Sequence, residues 1–407
     1  MAATFYLVLS GAEVATQRSF IMIAIVLIGI MVDRSALTLR NLALAALFVM
    51  VLAPESVVHP SFQMSFAATL ALVAAYQNGG PWASGGKPGS LAGQAASWGL
   101  REITTLVLAS LVAGLATTPY AAFHFHRLAP YGVLANLLAM PIVSVWVMPS
   151  GLLALAAMPF GFDGPLWRAM GQGIEWMDAV ALWVASLPGA VGHIPAFGIG
   201  ALMAATAGLC LICLLRTRLR WTGIVLVVAA IVMALRTPQP DVLISANADA
   251  VAVRGADGHL SAVRSGSDVL VLREWLNADA DARAPTDPGL KEGFGCDAAA
   301  CIARLPDGSV VSVARTAHGL VEDCDQALLV ITPREAPSQC RALAIDRHKL
   351  AAAGAMALHH VGNGWSIEQA VPPGSERPWA HNANRARSGP VSGTDVTPRA
   401  EDLGADD

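Results

Sequence analysis

Four short polar clusters interrupt an otherwise apolar sequence, and each carries groups that could hold a phosphate or a base. Gly11 to Met22 contains Arg18, and His59 to Phe66 contains Gln63 and Ser65. Thr117 to Arg127 contains His124, His126 and Arg127 beside Phe123 and Phe125, and Tyr131 to Val143 contains Asn136 and Pro141. Cationic groups neutralise phosphates, and aromatic rings stack on bases. An amide or hydroxyl inside an apolar helix is costly in lipid, so it faces protein or water. This chemistry suits a polar path: Arg18, His124, His126 and Arg127 around a shared vestibule, and Gln63, Ser65 and Asn136 along a narrower passage below it. Pro141 and Pro149 are expected to interrupt the helix that carries Asn136. The plainer alternative is interfacial anchoring, with basic and aromatic side chains at headgroup depth and polar residues acting as interhelical glue.

Catalytic chemistry has less support. The histidines of the last 171 residues are His259, His318, His348, His359, His360 and His381, and none has the spacing of a zinc-binding H-x-H or H-x-x-x-H pair. A nucleophile elbow, a phosphate-binding glycine loop and a paired-carboxylate signature are all missing. Neither a metal nor another cofactor is implied, and enzymatic activity is not expected.

The elements that must position these groups are set by composition. Of 407 residues, 55% are hydrophobic and 14% charged, against about a quarter charged in soluble domains, which excludes a single soluble globule. Residues 1 to 236 hold 11 basic and 7 acidic residues, and residues 237 to 407 hold 15 and 23, so a bilayer part of net +4 precedes a soluble part of net -8. Eight apolar stretches could cross a bilayer, near 19 to 33, 36 to 53, 63 to 77, 103 to 121, 133 to 158, 174 to 190, 197 to 215 and 221 to 236. Residues 4 to 10 look like the end of a further helix. Placing Arg34 and Arg40 on the cytoplasmic side puts eight basic residues inside, including Lys87, Arg216, Arg218 and Arg220, and leaves Arg18, Arg127 and Arg236 outside. Residues 237 onward then lie on the outer face.

That outer part should be oxidised. It contains Cys296, Cys301, Cys324 and Cys340, an even number, which allow three pairings; proximity favours Cys296 with Cys301 and Cys324 with Cys340. Four unrelated buried thiols are the alternative. Cys210 and Cys213 fall within an apolar span and read as packing residues. Asp249–Arg254 and His259–Arg264 flank an Asp-Gly turn, as do the residues around Leu305 to Gly308, and both read as hairpins. Helical turns are expected at Arg273 to Asn277 and Lys349 to Met356. The organisation is thus a polytopic α-helical membrane domain over 1–236, a soluble α+β domain over 237–370 and a disordered tail over 371–407.

Taken in order, the four clusters resemble the ComEC competence family, the inner-membrane DNA channel of natural transformation. The likeness is carried by Gln17-Arg18-Ser19 and the helix after it, by Pro54 to Phe66, by Thr117 to His126, and by Ala135-Asn136-Leu137-Leu138 followed by Pro141 and Pro149. Members usually begin with further spans and an OB-like outer domain, so the resemblance implies an N-terminally truncated chain. Many members end in a metallo-β-lactamase-like domain. Asp241 to Ile345 is similar to a degenerate version of it without the His-x-His-x-Asp-His zinc signature, so no metal ligand and no nuclease activity are carried over. The family implies single-stranded DNA and a lipid bilayer as partners, a periplasmic DNA receptor, a cytoplasmic ATP-driven motor, and location in the bacterial inner membrane with the C-terminal domain periplasmic. A membrane-bound hydrolase acting through the soluble domain and a small-solute transporter are the competing readings.

Overall fold

The computed structural model describes residues 2–11, 14–31, 38–77, 91–266, 269–362 and 364–372. Lys87, the Asp33–Arg34 pair, His381 and nearly all of the expected tail lie outside the described residues. Two compact units divide the chain: Met1–Gln239 with Arg273–Ala284, and Pro240–Leu272 with Pro285–Asp407.

The first unit is helical. Its elements are α1 (Ala2–Leu9), α2 (Val14–Met31), α3 (Leu39–Leu52), α4 (Pro60–Gln77), α5 (Leu91–Phe125), β1 (Arg127–Leu128), α6 (Gly132–Ile142), α7 (Met148–Ala157), α8 (Gly164–Ala185), β2 (Gly192–His193), α9 (Ile199–Leu214) and α10 (Thr222–Leu235). Their starts follow local chemistry. Thr38 caps α3 by accepting the Asn41 amide, and Pro60 opens α4, where a missing N–H costs no helical bond. Among the described residues three helices are long and apolar enough to cross a membrane: Gly99–Phe125, Gly132–Phe160 and Arg218–Leu235. Ser19–Met31, Leu39–Leu52 and Ile199–Leu214 are shorter apolar helices. This is a membrane protein.

The helix carrying Asn136 does not break as expected. It continues from α6 through a π-helical turn at Val143–Val147 into α7. The Met148 amide bonds to the Val143 carbonyl five residues back, so the widened turn accommodates Pro149 without a gap in the backbone. Gly173 of α8 faces this turn; a Cβ there would lie 2.7 Å from both Trp146 and Val147. The Trp146 indole also donates to the Ala169 carbonyl at 2.8 Å.

The second unit is built on two five-stranded sheets. One has the order β12-β11-β3-β4-β5, made of β3 (Val242–Ile244), β4 (Ala250–Arg254), β5 (Leu260–Arg264), β11 (Met356–Val361) and β12 (Gly364–Gln369), all antiparallel. The other has the order β10-β9-β8-β7-β6, made of β6 (Phe294–Cys296), β7 (Ala300–Arg304), β8 (Val310–Ala314), β9 (Leu329–Ile331) and β10 (Leu343–Ile345). In the latter β8, β9 and β10 run parallel. Val242, Ile244, Val251 and Val253 of the first sheet share one core with Val311, Val313, Leu329 and Ile331 of the second. A helix from Ala317 to Gln326 connects β8 to β9 and packs Leu320 and Cys324 on the opposite face of its sheet, against Ala314 and Val330. Such a crossover is what a parallel pair requires.

Both Asp-Gly turns form. Gly258 and Gly308 have φ of +79° and +85°, which glycine adopts without penalty. Cys296 and Cys301 are paired across β6 and β7 and joined by a disulfide, and a second disulfide joins Cys324 to Cys340. The helical turn expected to reach Met356 is shorter, Arg347–Ala353, because Gly354 takes a φ of +72° and Met356 opens β11.

Candidate functional site

The polar groups converge where α4 begins and α5 ends. Gln63 lies in the first turn of α4, and its amide nitrogen donates to the Val57 carbonyl at 3.0 Å. That bond leaves Gln63 Oε1 for His124, whose Nε2 is 2.8 Å away. With the carbonyl as acceptor, the imidazole must present N–H there. Phe123 stands edge-on to His124 with centroids 5.1 Å apart and meets Phe197 at 5.6 Å. One turn earlier the Tyr120 hydroxyl donates to Thr206 at 3.1 Å, tying α5 to α9. Pro119 sits inside α5, and the Thr117 and Thr118 hydroxyls bond back to Ala113 and Gly114 around it.

Past Phe125 the chain turns sharply. His126 has a φ of +55°, unusual for a residue with a Cβ, and is held there because its N–H bonds to Ala122 and its carbonyl accepts from Ile194. Its Nδ1 is buried with no hydrogen-bond partner among the described residues. Burial pushes the imidazole below its ordinary value, against the upward pull of Glu274, and His124 adds to the depression. Arg127 then pairs with His193 across β1 and β2, and its guanidinium donates to Asn277 Oδ1 at 2.9 Å. Asn277 comes from the helix Leu270–Ala278, most of which belongs to the first unit; the Ala278 carbonyl also accepts the Ala196 amide at 2.7 Å.

A stack of aromatic, imidazole, amide and guanidinium groups thus occupies one end of the helical unit. A family model described as "Competence protein" matches residues 1–219, more than half of the chain. The chain belongs to the Competence protein family. Its role is therefore in competence, the uptake of DNA. No curated protein and no solved structure matches it. The competence match ends before α10, so the second unit lies outside the match.

Within this competence protein the sequence-marked residues separate into two groups. Gln63 and His124 are bonded to each other, and His126 and Arg127 follow in the next turn. Ser65 is half-buried on α4. Asn136 and Pro141 are exposed on α6, and Asn136 shares no hydrogen bond with Gln63 or Ser65. Arg18 lies on α2, but its side chain is outside the described residues. Asn277, His193 and Glu274 join the cluster although the sequence did not single them out. Arg273 and Glu274 stand four and three residues before Asn277, a spacing that shares one helix face, which was the signal available.

Among the described residues, no three His, Cys, Asp or Glu side chains gather as a metal would require. In the second unit His360 Nδ1 is 3.2 Å from Asp307 Oδ2, and His359 Nε2 is 4.0 Å from Glu368. The Asp307 carboxyl is held below its usual range, chiefly by the Ser309 amide, which donates to it at 2.9 Å. That carboxylate is thereby occupied as a turn cap.

Proposed function

We propose that this chain is a subunit, or part of one, of the inner-membrane channel that admits single-stranded DNA during natural transformation, with residues 237–370 on the periplasmic side. One observation carries the reading: the Gln63–His124 bond at 2.8 Å, beside Phe123 and followed by His126 and Arg127. Strand passage needs cations for phosphates and flat rings for bases, and both stand here at the end of a membrane helix. The eight-to-three distribution of basic residues supports the orientation.

The second unit is read as a degenerate metallo-β-lactamase-like domain that binds no metal and cuts no DNA. Two face-to-face sheets with a helix outside one of them support that reading, and so does the lack of a histidine ligand spacing. A periplasmic receptor and a cytoplasmic ATP-driven motor are the partners this role requires. Replacing Arg127 by Ala should reduce uptake of labelled DNA about tenfold or more, since a lost phosphate contact weakens binding at every sequence, and His124→Ala should reduce it by releasing Gln63 from its 2.8 Å bond. Membrane levels of the protein should stay the same. Normal uptake in both variants would remove the cluster from the path.

A further inference from the structure

Between α4, α5, α9 and α10 the helical unit leaves a groove of about 480 Å³. Small side chains make the room: Ala71 and Ala75 on α4, Ala116 on α5 and Ala205 on α9 all line it. The volume is in the range of small-molecule sites. Its walls offer almost no hydrogen-bonding groups, because the Tyr120 hydroxyl at one end is already bonded to Thr206. A hydrated phosphodiester chain has no partner in such a space, whereas a hydrocarbon chain does.

The opposite end of the groove has a different character. Among the described residues Arg220 is the one charged residue lining it. Its guanidinium lies 4.8 Å from the Trp221 ring centroid, and no carboxylate among the described residues pairs with it. Arg216 and Arg218 lie in the same short connection, and the sequence has no acidic residue from 179 to 240. Arg216 reaches Gln77 at the end of α4 at 3.4 Å. Gln77 is 14 residues from Gln63, so this end is about 20 Å from the Gln63–His124 cluster. Trp221 is 57% exposed, the position of an aromatic residue at headgroup depth. An apolar groove that ends at Arg220, with Arg216 and Arg218 in the same short connection, is complementary to a molecule with a long hydrocarbon chain and an anionic head.

We propose that this groove holds an acyl chain of an anionic phospholipid, with the headgroup phosphate bound by Arg220 and the neighbouring Arg216 and Arg218. The inference does not depend on the channel reading. It assigns the bilayer a specific contact on the face remote from the polar cluster, where a bound lipid fills the space left by the alanines and joins α4 and α5 to α9 and α10.

The full chain, placed in nanodiscs of equal phosphatidylglycerol and phosphatidylcholine and then extracted in mild detergent, is analysed by native mass spectrometry for retained lipid. One phosphatidylglycerol per chain is expected, in clear excess over phosphatidylcholine. Arg220→Gln should lower that retention about fivefold, the effect of one arginine at an anionic surface, and Arg220→Lys should preserve most of it. Ala75→Phe should displace the lipid with the arginines untouched. Circular dichroism of each variant checks that the helices are formed, and Arg220→Gln tests the proposal if Ala75→Phe does not fold. Equal retention of the two lipids, retention unchanged in Arg220→Gln, or a lipid-free self-associated chain whose groove is covered by a second copy would overturn it.

Discussion

The two units bury their residues by opposite rules. In the sandwich the large β-branched and aliphatic side chains point inward: Ile244, Val311, Leu329, Ile331 and Leu358 are fully buried. In the helical unit many large side chains point outward instead, with Leu152 and Val225 about two-thirds exposed, and small residues such as Ala67, Ala71, Ala74, Ala116, Ala154 and Ala205 are buried. Water drives the first arrangement by expelling apolar surface. Lipid removes that drive, so helices gain from close backbone approach, which only small residues allow. Gly208 and Gly223 show the limiting case. A Cβ on Gly208 would lie 2.7 Å from the Gly223 carbonyl oxygen, and one on Gly223 would lie 2.5 Å from the Gly208 oxygen.

The largest expected effect separates the two solvents directly. Ile331→Ala should destabilise the sandwich by about 2–5 kcal/mol, since it removes a fully buried side chain and leaves a cavity. Leu152→Ala on α7 should change the helical unit by no more than about 0.5 kcal/mol, because lipid replaces what is removed. Urea-dependent proteolysis of the membrane-embedded full chain reads both units by their separate fragments. Equal losses at the two sites would show that the outward Leu152 is packed against protein, and the comparison would fail.

A smaller effect tests the other half of the comparison. Gly208→Ala should cost about 1–3 kcal/mol by forcing α9 and α10 apart. Gly114→Ala, where an added Cβ meets nothing within 4 Å, should be neutral or stabilising by up to about 1 kcal/mol through helix propensity. Thermal aggregation temperature in detergent distinguishes them. A tolerated Gly208→Ala would mean that the α9–α10 contact does not depend on backbone approach.

What was legible in the sequence was mostly local. The Asp-Gly turns could be read because positive φ at Gly258 and Gly308 is a property of two adjacent residues, and hydrophobic run length gave three of the eight expected spans as helices long and apolar enough to cross a membrane. Pairings across the fold carried no such signal. Gln63 meets His124 from 61 residues away, Arg127 meets Asn277 from 150, and Gly208 meets Gly223 on the next helix; each depends on how helices are packed rather than on spacing. The π turn was missed for a related reason. Two prolines announce lost N–H groups, but the Gly173 that leaves room for Trp146 and Val147 at the widened turn lies on another helix, out of reach of the local pattern.

The smallest expected effect lies at the bend after α5, where the helical unit does bury a polar atom. His126 is held below its ordinary value by burial and by His124, with Glu274 opposing. Below about pH 6.5 the unfolded imidazole takes up a proton that the folded one resists, so the bend contributes its full stability above that pH and loses it as the pH falls. The Ile194 amide, which donates to the His126 carbonyl at 3.0 Å, reports on this bend. Its hydrogen-exchange protection factor should decrease from pH 7.5 to pH 5.5 after correction for intrinsic rates. His126→Asn should abolish the pH dependence and keep the bend, since asparagine tolerates positive φ and does not titrate in this range. Protection that is equally pH-dependent in the variant would assign the effect to a group other than His126. Protection that is constant in the unmodified chain would mean that the buried Nδ1 is satisfied by water and that His126 titrates without strain. In that case His126 would settle its buried nitrogen through solvent, whereas the buried Ser312 hydroxyl of the sandwich is settled by the Asp323 carboxylate at 2.6 Å.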